Sequence, residues 1–268
     1  MPSPPPDPQS FPFDWHGARA LLTLPHAAAA ATDAVGQALA LEPWLPLVDA
    51  IERWLGEPLR LGAPVPGDTR RSNELLTLAI GREGDAARCE LALPVARLRG
   101  AALGPFAPGW VLHWPRIVCD MLIEAWPDAA LDAARFEPGA LLLLPASFDA
   151  AAPERRVRLM TDAHGARAGR WRGSECRLGP NDAAPPLPAP AWAAVAPRAA
   201  TFDARHWYGC TPAAPPPAEA RIDALELRRA GRVLATGRLA PAGRGFGLLI
   251  EQVGSSGAAP AAPIAAAA

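Results

Sequence analysis

The sequence contains no lysine: every one of its 26 basic residues is arginine. This absence excludes a phosphate-loop lysine, a Schiff-base lysine and a lysine general base. It also excludes the many enzyme classes that depend on one of those three groups. The abundance of alanine, proline and arginine is typical of a biased codon supply, so we give alanine and proline content no functional weight.

Strong charge and clustered cysteines are also missing. The formal net charge is −1, which provides no basic field for nucleic acid. Cys89, Cys119, Cys176 and Cys210 lie far apart and form no Cys-x-x-Cys pair. This spacing is not that of a secreted disulfide framework, and we expect reduced, mostly buried cysteines.

Long apolar runs are absent as well. The opening MPSPPPDPQS has neither the cationic start nor the apolar run of a signal peptide. The alanine-rich stretch 27–41 predicts a helix, but Thr32, Asp33, Gly36 and Gln37 interrupt it. A bilayer span needs about 20 apolar residues, so we expect a soluble, cytoplasmic protein.

What is present predicts an α+β protein, with an α/β amino-terminal region followed by small β-rich modules. Residues 45–55 predict an amphipathic helix, with Leu47, Val48, Ile51, Trp54 and Leu55 on one face. ELLTLAI and ARCELAL predict a hairpin, and RIVCDMLIEAW, RRVRLMT and the segment from 225 to 253 predict further strands. The expected organisation is a disordered lead (1–15), an α/β region (16–109), a first β-rich stretch (110–178), a Pro/Ala-rich linker (179–218), a second β-rich stretch (219–253) and a disordered tail (254–268).

The linker contains one exception, FDARHWYGC, in which Phe202, Trp207 and Tyr208 are expected to dock as a tether. The most unusual apolar segment is FEPGALLLLP, residues 136–145. Four consecutive leucines between Pro-Gly and Pro are typical of a strand buried on both faces.

No catalytic constellation is visible. The five histidines are scattered, without HExxH or HxH spacing. Ser147 and Ser174 lack a nucleophile elbow. Cys176 lies beside arginines that would lower its pKa, but has no partner in sequence. We therefore predict no catalytic residue, no cofactor and no metal site.

Two aromatic patterns leave alternatives open. Nine tryptophans against one tyrosine favour core packing, with interface anchoring as the alternative. RAGRWRG alternates arginines with an aromatic ring, as a surface for single-stranded nucleic acid does. Because the chain is close to neutral, we interpret these arginines as guards of a solvated strand edge.

The leucine run has a counterpart in a known family. Residues 112–178 resemble the surface-presentation-of-antigens (SPOA) module of the cytoplasmic-ring, or sorting-platform, subunit of bacterial type III secretion systems, which is related to flagellar motor-switch proteins. The matching positions are Leu131, Phe136, Pro138, Gly139, Leu141–Leu144 and Pro145, with Ala140 where the family has Asp. The carboxy-terminal stretch is similar to the closing half of such modules, at Gly231, Gly237, Leu239, Gly247 and Ile250.

The resemblance implies a non-enzymatic scaffold that takes part in protein export. Its partners would be an SPOA-type carboxy-terminal protein, stator and other platform proteins, and effector–chaperone complexes. We expect a homo- or hetero-oligomer, with neither nucleic acid nor a membrane span. The expected interface residues are Leu142, Leu144, Phe148, Trp171, Leu239, Phe246 and Leu248.

Two other classes of function remain as alternatives. One is a β-rich hydrolase that uses Cys176 or Ser174, with His164 or His206 beside the nucleophile. The other is a β-barrel module that binds a small molecule or single-stranded nucleic acid.

Overall fold

The structure is a computed structural model. It describes residues 8–25, 39, 41–63, 74–82, 88–131, 136–144, 154–183, 191–211, 214–243 and 245–254. The chain divides into two compact units. The first comprises Met1–Pro115 and Asp203–Ala213, and the second comprises Arg116–Phe202 and Ala214–Ala268.

The first unit contains a five-stranded sheet. Its strands are β1 (Gln9–Trp15), β2 (Ala18–Leu24), β3 (Leu75–Arg82), β4 (Cys89–Pro94) and β5 (Trp110–His113), in the order β1-β2-β4-β3-β5. Every neighbouring pair is antiparallel. The predicted hairpin of ELLTLAI and ARCELAL is confirmed as β3 and β4.

The helix over 45–55 is also confirmed. α1 (Leu45–Leu55) buries the five predicted apolar residues, and it ends where Gly56 takes the left-handed φ of 79°. Glycine accepts that conformation without a Cβ clash. A 3₁₀ turn over Glu42–Trp44 precedes α1, and α2 (Val95–Leu98) follows β4.

The expected fold class is wrong. The described chain is mostly β, with two antiparallel sheets and only one helix of seven or more residues, so its amino-terminal unit is not α/β. An α/β region needs parallel strands joined by crossover helices, whereas β1 and β2 form a hairpin. His16 and Gly17 turn that hairpin with φ values of 50° and 74°, which suit a two-residue hairpin loop.

The second unit contains one ten-stranded sheet, in the order β12-β10-β9-β8-β6-β11-β13-β14-β15-β7. Its strands are β6 (Arg116–Pro127), β7 (Leu141–Leu143), β8 (Arg155–Thr161), β9 (Gly165–Arg172), β10 (Glu175–Ala183), β11 (Ala191–Asp203), β12 (Ala218–Glu219), β13 (Leu225–Arg229), β14 (Arg232–Ala242) and β15 (Gly245–Val253). The predicted strand RIVCDMLIEAW is confirmed as β6, with Ile117, Cys119, Met121 and Ile123 buried at period two.

Two stretches differ from the expected organisation. Residues 191–203 lie inside the expected linker but form β11, which buries Trp192 and Val195. Residues 9–15 fall in the expected disordered lead but form β1, which buries Phe11 and Phe13. In both places the composition is rich in proline, but the segment forms a strand. Burial of its apolar side chains offsets the conformational entropy that the strand loses when it orders. The expected tail, apart from Gly254, and the predicted helix over 27–41, apart from Leu39 and Leu41, lie outside the described residues.

The tether expected in FDARHWYGC is present. Phe202, Trp207 and Tyr208 are buried, and α3 (Ala204–Trp207) starts at Asp203, whose side chain caps it. Within the first unit, the Gly100 N–H donates to the Tyr208 carbonyl at 2.9 Å. The chain therefore leaves the second unit after β11, contributes α3 to the first unit and returns.

Candidate partner interface

Strand β7 forms one end of the ten-stranded sheet and pairs only with β15 among the described strands. Two backbone hydrogen bonds fix this pairing. Ile250 N–H donates to the Ala140 carbonyl at 2.8 Å, and Leu144 N–H donates to the Phe246 carbonyl at 3.1 Å. The leucine run is therefore the terminal strand of a large sheet rather than a strand between two neighbours.

The register decides where each backbone group points. In an antiparallel pair, residues bonded to the partner strand alternate with residues whose N–H and C=O point away. Ala140 and Leu144 are bonded to β15, so the backbone groups of Leu141 and Leu143 point to the outer edge. Such a row of groups is a template for an added strand.

The side chains alternate in the same way. Leu142 lies opposite Leu248, which lies opposite Leu239, and this face contains the fully buried Leu248. Leu141 and Leu143 point to the other face, where 44% and 62% of their surface is exposed. The expectation that β7 is buried on both faces is therefore wrong. We call Leu141 and Leu143, with their outward backbone groups, the leucine edge.

Gly247 lets β7 approach β15 closely. A Cβ at this position would meet the Leu141 Cδ1 at 2.8 Å and the Leu142 carbonyl oxygen at 3.0 Å. The end of the Leu141 side chain can move away from such a Cβ, but the Leu142 carbonyl oxygen would be crowded. The glycine is thus a steric condition for placing the leucine edge.

Aromatic packing anchors the segment that leads into β7. The Phe136 ring packs edge-on against Trp192, with 5.4 Å between ring centroids. The Trp192 indole N–H donates to the Asp128 carbonyl at 3.1 Å. The Asp128 carboxylate accepts two bonds of 2.6 Å from Arg229, whose guanidinium lies over Trp192.

The structure distributes the expected interface residues unevenly. Leu142, Leu144, Leu239, Phe246 and Leu248 all belong to the β7–β15–β14 end of the sheet, on its inner face. Leu144 and Leu248 are buried and serve as core, while the other three are half-buried.

Trp171 and Phe148 stand apart from that group. Trp171 lies in β9, half-buried, and its indole N–H donates to the Gly173 carbonyl. Phe148 lies outside the described residues. Sequence reasoning missed Leu141 and Leu143 as the exposed pair, although period-two alternation divides any four-residue run between two faces.

The hydrolase alternative gains no support from its candidate nucleophile. Cys176 is fully buried, and burial raises the pKa of its thiol to about 12. That direction is opposite to the one expected from neighbouring arginines, and it disfavours the reactive thiolate. All four cysteines are buried and free of disulfide bonds.

His164, one of the two histidines expected beside that nucleophile, lies far from Cys176 along the sheet. His164 follows β8 in the turn that joins Thr161 to Gly165, whereas Cys176 lies opposite Trp171. Six residues of β9 separate these positions, about 20 Å of extended chain. Burial lowers the pKa of His164 and of His206, and His206 belongs to the first unit.

Across the residues described here, no group of histidine, cysteine and acidic side chains is arranged to hold a metal ion. No helix in the described part of the chain combines the length and apolar character needed to cross a bilayer. No family model, no curated protein and no solved structure matches the chain.

Proposed function

We propose that this protein is a non-enzymatic scaffold of the cytoplasmic ring, or sorting platform, of a type III secretion apparatus. In this role it binds an SPOA-type carboxy-terminal protein, stator and other platform proteins, and effector–chaperone complexes for export. The apparatus would hold it peripherally at the cytoplasmic face of the inner membrane. The proposal starts from the sequence resemblance described above.

The arrangement of the matching segments supports this proposal. The leucine stretch and the last strand of the carboxy-terminal stretch are about a hundred residues apart in sequence, yet they pair as β7 and β15. Leu142 lies directly opposite Leu248, and Gly139 N–H donates to the Ile250 carbonyl at 2.7 Å. The two matching segments thus lie on neighbouring strands of one sheet.

The leucine edge is the observation that carries the proposal. It combines two exposed leucine side chains with outward backbone groups at the end of a sheet. A partner strand paired there would gain main-chain hydrogen bonds and bury apolar surface at the same time. This combination suits an assembly component that is completed by another chain.

The test is association of the full chain with proteins of its own cell. The tagged chain is captured from cell extract and its partners are identified. The molar mass of the purified complexes is then measured by light scattering. We expect a short SPOA-type protein or a stator protein in stoichiometric amounts. Recovery of a monomer with neither partner would contradict the proposal.

Two variants connect association to the leucine edge. Leu143→Pro removes an outward N–H while leaving the bonds to β15 in place, and Leu141→Lys with Leu143→Lys adds edge charges that oppose pairing. Both are expected to lose the partner strand. The matched control is Val233→Lys, since Val233 is similarly exposed at 40%, and it is expected to retain binding.

A further inference from the structure

Arginines line up across three neighbouring strands of the second unit. Arg156 on β8 lies directly opposite Arg170 on β9, and Arg170 lies directly opposite Arg177 on β10. Directly opposed side chains project from the same face, and neighbouring strands are about 4.8 Å apart. All three arginines are exposed, so the sheet presents a row of three cations.

Arg172 extends this row, since it lies two residues beyond Arg170 on the same face. We call Arg156, Arg170, Arg172 and Arg177 the arginine face. Two glutamates accompany them: Glu154 contacts Arg170 at 2.7 Å, and Glu175 lies 3.9 Å from Arg177. Among the described residues, no carboxylate forms an ion pair with Arg156 or Arg172.

The arginines of RAGRWRG do not lie on an edge strand of the sheet. β9, which contains RAGRWRG, lies between β8 and β10, so the interpretation of these arginines as edge guards is wrong. Like charges placed directly opposite each other on a sheet are destabilising. Arg156, Arg170 and Arg177 are placed in this way, although Glu154 and Glu175 offset part of the repulsion, and an anionic partner would offset more of it.

Two observations favour a protein partner over a nucleic acid. Trp171, the one aromatic residue of β8–β10, points to the opposite face, where it lies across from the buried Cys176. The arginine face consequently has no ring on which a base can stack. In addition, Arg170 already holds the carboxylate of Glu154, which shows how a carboxylate sits on this face.

We propose that the arginine face binds a carboxylate-rich segment of a partner protein. Guanidinium groups match carboxylates in geometry and keep their charge at every physiological pH. A row across strands at regular spacing suits an extended segment with several acidic side chains. Each exposed pair contributes little, so binding depends on several pairs together and weakens with salt. This inference does not depend on the secretion role and uses none of the residues of the leucine edge.

The test uses the full chain and a dye-labelled peptide of ten glutamates, with binding followed by fluorescence anisotropy at 50 and 300 mM NaCl. The triple variant Arg156→Glu/Arg170→Glu/Arg177→Glu is expected to raise the Kd at least about tenfold. The matched control reverses three exposed arginines of the first unit, Arg19, Arg60 and Arg88. At 300 mM NaCl, where salt screens long-range attraction, the Kd of this control is expected to stay within about twofold of the Kd of the unmodified chain.

Several outcomes would overturn the proposal. They are an absence of peptide binding at 50 mM NaCl, equal losses in the two triple variants, or tighter binding of a ten-nucleotide thymidine strand or of phosphatidylserine vesicles than of the peptide. Circular dichroism checks that each variant is folded. If the glutamate triple unfolds, the corresponding triple glutamine variant replaces it, and an unchanged Kd in that variant also counts against the proposal.

Discussion

The leucine edge and the arginine face belong to the same sheet and use the same period-two alternation, but they expose opposite chemistry. At β7, the outward residues are Leu141 and Leu143, beside backbone groups that can accept another strand. On β8–β10, four exposed residues of one face are arginines, and the central strand β9 is paired on both sides. The position of a strand in the sheet therefore decides what its surface presents to a partner. A terminal strand presents unpaired main-chain groups, whereas an internal strand presents only its side chains.

Charge substitution along β7 tests the first half of this comparison and has the largest expected effect. Leu144 is 6% exposed and Leu143 is 62% exposed. Leu144→Asp should cost roughly 3–5 kcal/mol of unfolding free energy, because it removes a buried leucine and introduces a buried charge. Leu143→Asp should stay within about 0.5 kcal/mol. Urea unfolding measures both, and equal losses would mean that β7 does not have the alternation described here.

Leu142 gives the intermediate case within the same strand. It is half-buried and faces Leu248, so Leu142→Asp should fall between the other two variants. That order in unfolding free energy, Leu144 above Leu142 above Leu143, is the check on the register.

Gly247 tests how tightly β7 must lie against β15. Gly247→Ala places a Cβ within 2.8 Å of the Leu141 side chain and 3.0 Å of the Leu142 carbonyl, and we expect a loss of about 1–3 kcal/mol. Gly104→Ala is the control, since its Cβ would make only ordinary contacts of 3.5 Å or more. If the two variants are equally stable in urea, the close approach of the strands is not a constraint.

Removing an arginine from the arginine face should raise the stability of the fold, whereas the substitutions at Leu144 and Gly247 lower it. Arg156→Thr removes one member of a like-charged row and places a good strand former on β8, so stability should rise by about 0.2–1 kcal/mol at low salt. The gain should shrink in 0.5 M NaCl, where exposed charges are screened. Arg53→Thr on α1 is a control without cross-strand arginines, and a loss of stability at position 156 would contradict the repulsion argument.

The local pattern of apolar residues predicted some elements of the fold and missed others. α1, the β3–β4 hairpin and β6 were predictable because their apolar residues recur at 3.6 or at two residues. The strands β1 and β11 were not, because the prolines and alanines around Phe11 and Trp192 dominate composition while the apolar alternation spans only a few residues.

Pairing between strands distant in sequence explains the other predictions that were wrong. Nothing local in four leucines says which two face water, since that depends on β15, about a hundred residues later. The position of RAGRWRG inside the sheet likewise depends on its neighbours on both sides. Leu141, Leu143, Arg170 and Arg172 lie in motifs that the sequence shows, but their exposure is set by tertiary pairing, and Arg156 and Arg177 join the arginine face only through the strand register.

The smallest effect is expected for the Asp128–Arg229 ion pair. Both residues contact Trp192, which in turn packs against Phe136 at the start of the leucine segment. The hydrogen bond from Arg229 lowers the pKa of the Asp128 carboxyl. A folded-state pKa below the ordinary value means that the unfolded chain binds the proton more readily, so the pair stabilises the fold above about pH 4 and loses this contribution as pH falls through the lowered value. Thermal melts of a double-mutant cycle, Asp128→Asn with Arg229→Gln, should give a measurable coupling at pH 7 and a smaller one near pH 2.5. A coupling that is the same at both pH values would mean that this ion pair does not help to hold the segment that positions the leucine edge.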